Sequence, residues 1–318
     1  MDEIVKEIVP LAVAARKRRT SLVDFCIRLV KQKPLGAVSG IIFLALLIVG
    51  IFADLLAPYG MNEPHLWDRL SPPSAQYLLG TDNLGRDLLS RCIYGARVSL
   101  IVGAAGTSLA ILLAAAIGIV SGFSGGKVDI VAQRFVDAWM SFPGLFILIT
   151  VMSILGPGIV QVTVVLGVLF GISGSRVIRS AVIAINQNLY VKAAKAIGCS
   201  STRIVFRHIL PNIMAPILVL FTTNMGTVIL SEAGLSFLGF GVPPGTASWG
   251  NMLSGEGRQY MELAPWLALW PGICLSVAVF SINMFGDAVR DLLDPRLKGR
   301  MGRYGGVKEK SRLARSSR

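Results

Sequence analysis

The sequence predicts an all-α, polytopic membrane protein of about six transmembrane helices, and three observations predict it. Apolar residues make up 53% of the 318 and charged residues only 15%, and the mean hydropathy is +0.65. A soluble domain covers its core with roughly a quarter charged residues; most of the acidic part of that cover is missing here, so the surplus apolar residues must face lipid. Apolar runs long enough for a bilayer recur along the chain, and Lys and Arg gather on alternate connections between them.

About 20 apolar residues at roughly 1.5 Å rise each cross the hydrocarbon. Leu35 to Leu56 carries a single charge, Asp54, and stops at Pro58-Tyr59-Gly60. It begins late, is longer than the apolar stretch of a secretory leader and lacks a small-residue cleavage pattern, so it is read as a retained first span. Val98 to Phe123 holds no charge and closes on Gly122, Gly125 and Gly126, the second span. Ala138 to Ser175 is also uncharged but too long for one crossing, and Gly156-Pro157-Gly158 supplies the turn that splits it into a third and a fourth. Ile213 to Leu230, extended past Glu232 toward Phe240, makes the fifth, and Leu263 to Gly286 the sixth. The chain divides accordingly into an amino-terminal cytoplasmic segment (1–33), a first span with an external segment (34–97), a five-span core (98–298) with a cytoplasmic loop at 176–212, and a basic tail (299–318). That tail is rich in Gly, Ser, Lys and Arg and is expected to be disordered.

Charge sets the orientation. With both termini cytoplasmic, 26 of the 31 Lys and Arg lie inside, leaving Arg69, Arg86, Arg91, Arg97 and Arg258 outside. The net charge of +13 is therefore a membrane-topology pattern and not a nucleic-acid footprint. Cys26, Cys92, Cys199 and Cys274 fall in different compartments and suggest no disulfide framework. A phosphate-cradling loop is missing: Ser121 to Val128 has Ser in place of the first Gly and Val in place of the hydroxyl. His65 and His208, the two histidines, lie on opposite sides of the membrane, so neither a His-based metal centre nor a Ser-His triad is expected. No catalytic, cofactor or metal site is expected in this chain.

The connection from Arg176 to Asn212 is long for a helix linker and reads as helix, glycine, helix. Leu189 to Ile197 forms the first, with small Ala193, Ala194 and Ala196 permitting close approach by a partner; Gly198 ends it. Ser200 and Ser201 cap a second, which carries Arg203 and Arg207 and is expected to end before Pro211. Periodicity alone equally allows a surface helix lying on the bilayer.

Lys192-Ala193-Ala194-x-x-x-Gly198 followed by Ile209-Leu210-Pro211 resembles the E-A-A-x-x-x-G…L-P loop of membrane subunits of bacterial binding-protein-dependent ABC importers. Lys192 stands where the family has Glu, and His208 near a usual Ile. Leu79-Gly80-Thr81-Asp82-Asn83-Leu84-Gly85-Arg86-Asp87, Ser231-Glu232-Ala233-Gly234-Leu235-Ser236-Phe237-Leu238-Gly239 and Gly286-Asp287 through Asp294-Pro295-Arg296 are similar to segments of the dipeptide, oligopeptide and nickel permease group, C-type subunit. The likeness runs from about residue 34 to residue 298. It implies a type I importer permease fold and a coupling helix over Lys192, Ala193, Ala194, Gly198, Ser200, Arg203, Arg207, Leu210 and Pro211. It also implies a second permease subunit, two ATPase subunits holding ATP and Mg, and an external solute-binding protein. Dipeptides or oligopeptides are the implied cargo, with nickel chelate or glutathione as alternatives.

Glu232, Asn224, Thr222, Thr223 and Arg176 are candidates for the pathway or a subunit interface, and Asp82, Arg86 and Asp87 for contact with the binding protein. Each has a plainer reading as a helix-packing or loop-ordering group. A secondary transporter working alone is the rival from another class, but the sequence shows neither inverted repeats nor a charge deep in spans two to six.

Overall fold

The structure is a computed structural model, and it describes residues 22–293. Most of the predicted amino-terminal segment, the Asp294-Pro295-Arg296 end of the carboxy-terminal string and the basic tail lie outside the described residues. Among the described residues there is no strand, only an isolated bridge between Thr81 and Asp87.

An amphipathic helix α1 (Leu22–Gln32) leads into α2 (Pro34–Ile51), where Pro34 fits because a first-turn N–H has no intrahelical partner. A short α3 (Ala53–Leu56) follows. The segment from Ala57 to Asp87 has no long helix, only a 3₁₀ turn at Leu66–Asp68. Asp87 caps the 37-residue α4 (Leu88–Ser124), accepting from Ser90 N at 2.8 Å. The helix thus starts ten residues before the predicted second span, because its first turns carry Arg91 and Arg97 and are invisible to a hydropathy criterion.

Next come α5 (Gly126–Met140) and α6 (Gly144–Leu155), bent by 82° at the intervening residues. The stretch expected to hold the third span, from Ala138 to the Gly156 turn, contains a helix break: Pro143 adopts an extended conformation (ψ 127°). The 12 residues of α6 reach only about 18 Å, short of a bilayer core of about 30 Å. The turn at Gly156 to Gly158 does separate α6 from α7 (Ile159–Asn186). Two short helices, α8 (Leu189–Ala196) and α9 (Ser201–Ile204), precede a π-helical turn at Val205–Ile209 and then α10 (Leu210–Phe237). The expected stop before Pro211 is corrected as well. In the π turn Leu210 N already reaches back five residues to Val205 O, so the N–H that Pro211 lacks falls at a register change, and helix runs from Ser201 to Phe237. The chain closes with α11 (Trp249–Ser254), α12 (Glu256–Gln259) and α13 (Trp266–Leu293). Among the described residues five helices are long and apolar enough to cross a membrane, and the count is six if the bent pair α5–α6 is taken as one span.

The most extensive interface joins α4 to α7, and glycine makes it possible. A Cβ on Gly118 would sit 2.7 Å from Ser175 O, and one on Gly171 2.8 Å from Leu113 Cβ. Apolar burial offers no drive between helices within lipid, so such backbone-to-backbone packing supplies the attraction. α10 packs on α4, α7 and α13, and α13 on α2, which leaves the α8–α9 knuckle at one end of the bundle and the 57–87 segment at the other.

Candidate functional site

The knuckle is built by local rules. Gly198 holds φ +78°, its N–H bonds Lys195 O at 3.0 Å and the next N–H, of Cys199, bonds Ala194 O at 3.0 Å, the pairing that terminates a helix with a left-handed residue. Ser200 Oγ then accepts from Arg203 N at 3.4 Å. Val191, Ala194, Ile204 and Ile209 are buried against Ile178, Val182 and Ile213, fixing the knuckle on α7 and α10. The two alanines therefore part company: Ala194 points into the chain's own core and Ala193 outward. Lys192, Arg203, Arg207 and Pro211 are exposed and Leu210 is half-buried. Leu189, Tyr190, Ile197 and Phe206 are large apolar side chains left facing out beside them. The protrusion thus carries exposed large apolar side chains alongside exposed cations.

Behind the knuckle, α5 is pinned to α7. Arg179 Nε and Nη2 meet Asp129 Oδ1 and Oδ2 at 2.6 and 2.5 Å, a two-pronged pair, and Ser121 Oγ donates to the same Asp129 at 2.5 Å. Arg176 is ion-paired with Asp137, so it serves the α5–α7 contact.

Glu232 lies wholly buried in α10. Ser99 of α4 donates to it at 3.2 Å and Ser236, one turn on, at 2.8 Å; Ser248, just before α11, bonds it too. The carboxylate thus ties three segments together. Of the other pathway candidates, Thr222 packs on Gly286 of α13 and Asn224 beside Gly174 of α7, while Thr223 lines a cavity of about 460 Å³ between α7, α10 and α13.

Asp82, Arg86 and Asp87 are buried within the 57–87 segment. Asp82 Oδ1 accepts from Leu84 N and Arg86 N at 2.8 and 2.9 Å, and its Oδ2 meets Arg86 Nε at 2.6 Å. The surface of that segment is instead made by residues such as Leu66, Trp67, Leu78 and Leu84. Sequence reasoning missed Ser99 and Ser248, which reach Glu232 only through tertiary folding. Ser236 was visible in principle at the i+4 position. It also missed Asp129 and Asp137, the partners of Arg179 and Arg176.

The profile of the binding-protein-dependent transport system inner membrane component family matches residues 114–299. The chain belongs to that family. A second profile, the N-terminal TM domain of oligopeptide transport permease C, matches residues 24–73 of this permease. The dipeptide transport system permease protein DppC of Alkalihalophilus pseudofirmus is 38% identical over 268 residues, 84% of this chain and 88% of that protein. The di/tripeptide transport system permease protein DppC of Pseudomonas aeruginosa is 37% identical, covering 83% and 89%. The glutathione transport system permease protein GsiD of Escherichia coli is 35% identical, covering 85% and 89%. An inward-facing structure of the MetNI methionine ABC transporter aligns with a TM-score of 0.53 at 17% identity, over 64% of this chain and 96% of that one, which shows a common fold. The chain is a multi-pass permease subunit of an ABC importer.

Proposed function

We propose that this permease pairs with a second permease subunit to form the pathway of a bacterial cytoplasmic-membrane importer of dipeptides or oligopeptides. Two ATPase subunits holding ATP and Mg drive it, and an external solute-binding protein delivers the cargo. Both termini lie in the cytoplasm, as the basic residues of the connections favour. Relatives named for dipeptides, di/tripeptides and oligopeptides support the cargo. Relatives named for glutathione, itself peptide-like, give the second reading.

The observation that carries the mechanism is the continuous helical run from Ser201, through the π turn at Val205–Ile209, to Phe237. Its first turn belongs to the exposed knuckle and its far end to the bundle interior. A push on Lys192, Ala193, Arg203 and Arg207 when the ATPase pair closes on ATP is transmitted along this rod, which has no hinge loop to absorb it. Tilting α10 with α6 and α7 alternates access between the two sides, and cargo enters from the docked binding protein.

Co-purification from native membranes tests this. Ala193→Arg changes only the exposed face of α8, whereas Gly198→Asp also disturbs the turn. The ATPase subunits are expected with the wild type and lost from Ala193→Arg while the second permease subunit stays. An Ala193→Arg complex that keeps its ATPase and its uptake removes the knuckle from the docking surface.

A further inference from the structure

The end of the bundle that holds the 57–87 segment carries a pair that the sequence separates and the fold joins. Cys92 stands one turn into α4 and Cys274 two turns into α13, about 6 and 12 Å along their helices. Both belong to one apolar cluster, with Leu88, Met252 and Leu267, against which Met61, Leu70 and Leu79 of the 57–87 segment pack. Within it the two free thiols bond each other. The expectation of unrelated cysteines is therefore corrected for this pair, because two helices far apart in the chain start side by side. Cys92 is buried and its carbonyl accepts from Trp249 Nε1 at 3.1 Å. Cys274 is half-buried and is the sulfur that a reagent meets first.

The place is mechanically distinctive. α13 packs mainly on α10 and α2 and meets α4 only over a short stretch, where Cα atoms come within 8 Å. The 57–87 segment is nevertheless pinned to both helices. On α4, Leu88 N donates to Gly80 O at 3.0 Å and Ser90 Oγ accepts from Tyr59 N at 3.1 Å. On α13, Trp266 Nε1 donates to Thr81 O at 3.2 Å. A covalent tie between the helices beneath that segment makes one block of all three. It also closes the long chain loop from residue 92 to residue 274, and a long loop is where a cross-link removes most freedom from the unfolded chain.

We propose that Cys92 and Cys274 are an oxidisable dithiol, a disulfide site that staples α4 to α13 under the 57–87 segment, and that its reactant is a disulfide-bearing oxidant of the external compartment. The external placement rests on the orientation proposed above; the pairing does not. The Cys274 thiolate attacks one sulfur of the oxidant's disulfide and expels a thiolate, leaving a mixed disulfide. Cys92 gives its proton to water, attacks the Cys274 sulfur and expels the second thiolate. Two protein thiols are oxidised, one disulfide is reduced to two thiols, and a thiol reductant reverses both steps. An oxidising compartment outside the membrane keeps such a bond closed. The rival reading is that the two cysteines are small apolar fillers and nothing more.

The test treats the purified full chain in detergent, carrying Cys26→Ser and Cys199→Ser, with dithiobis(nitrobenzoate), a charged disulfide that releases a coloured thiolate. Two coloured thiolates per chain are expected, with the intact mass lower by two hydrogens, no aromatic adduct retained, and a peptide linking Cys92 to Cys274. Dithiothreitol should restore both thiols. Adding Cys92→Ser should instead leave one adduct on Cys274. Peptide mapping of the treated wild-type chain should show the same link, independently of any variant's folding. The closed form should melt at least about 3 °C above the reduced form, and equal melting temperatures deny the staple. Retained adducts without a link, or two thiols left free in the wild-type chain, overturn the dithiol. In membrane vesicles the impermeant reagent should close the pair when they are right side out and not when they are inverted. Closure in inverted vesicles alone overturns the orientation and the external oxidant while the dithiol stands.

Discussion

Glu232→Ala is expected to loosen the far end of α10 from α4 and α11. The native carboxylate is fully buried and receives hydroxyl bonds from Ser99 at 3.2 Å, from Ser236 at 2.8 Å and from Ser248. Alanine leaves three buried hydroxyls without that acceptor, at about 1 kcal/mol each once they rotate toward helix carbonyls, and a void worth roughly 1–2 kcal/mol. Removing a buried carboxylate also removes its desolvation cost, which offsets part of this. A net loss of about 2–4 kcal/mol remains, equivalent to roughly 3–6 °C for a chain of this size. Thermal unfolding of the purified chain in detergent, followed by tryptophan emission, reads it well, because Trp249 follows Ser248 and donates its Nε1–H to Cys92 O at 3.1 Å. Glu232→Leu separates the two contributions: it fills the void but leaves the hydroxyls orphaned, so it should stay destabilised, while Glu232→Gln, which keeps an acceptor oxygen, should lose least. If Glu232→Leu melts at or above the wild-type temperature, the hydroxyl cluster is not what fastens α10 and the reasoning is wrong.

Three further outcomes follow from the geometry. Gly198→Ala meets no neighbour but forces a Cβ into φ +78°, so it should lower stability by about 1 kcal/mol, with Gly198→Asn losing less; equal melting temperatures for all three would contradict the cap. A double-mutant cycle of Arg179→Ala and Asp129→Ala should show a coupling of about 1 kcal/mol or more through their two-pronged contact, and strictly additive losses would deny it. Asp54, just beyond the end of α2, has its carboxyl held below the usual range by the Arg97 guanidinium. Because its folded value is depressed, its contribution is present above the unfolded carboxylate value near 4 and is lost as pH falls through the folded one; the melting curves of wild type and Asp54→Asn should differ at pH 6 and converge on acidification.

The knuckle was legible because its signals are local. Gly198 and Ser200 act within a few residues of themselves, so their spacing carries their conformation. The 57–87 segment was legible only as a string: Asp82, Arg86 and Asp87 read as candidates for an outside contact, yet the loop folds their charges inward and exposes other residues, among them Glu63, Leu66, Trp67 and Arg69. The pathway candidates divided for a related reason. Thr222, Thr223 and Asn224 are consecutive, but a helix turns about 100° per residue, so they face different neighbours.

By itself the sequence determined a many-span helical bundle, where most helices lie, and the protruding helix-glycine-helix connection. Those features follow from hydrocarbon thickness and backbone rules that act over short stretches of chain. Only the tertiary structure decided that α5 and α6 are bent apart at Pro143, that the knuckle continues through a π turn into α10, and that Glu232 fastens three segments. Each of these depends on which residue stands opposite across a helix interface, and no spacing along one chain specifies that partner.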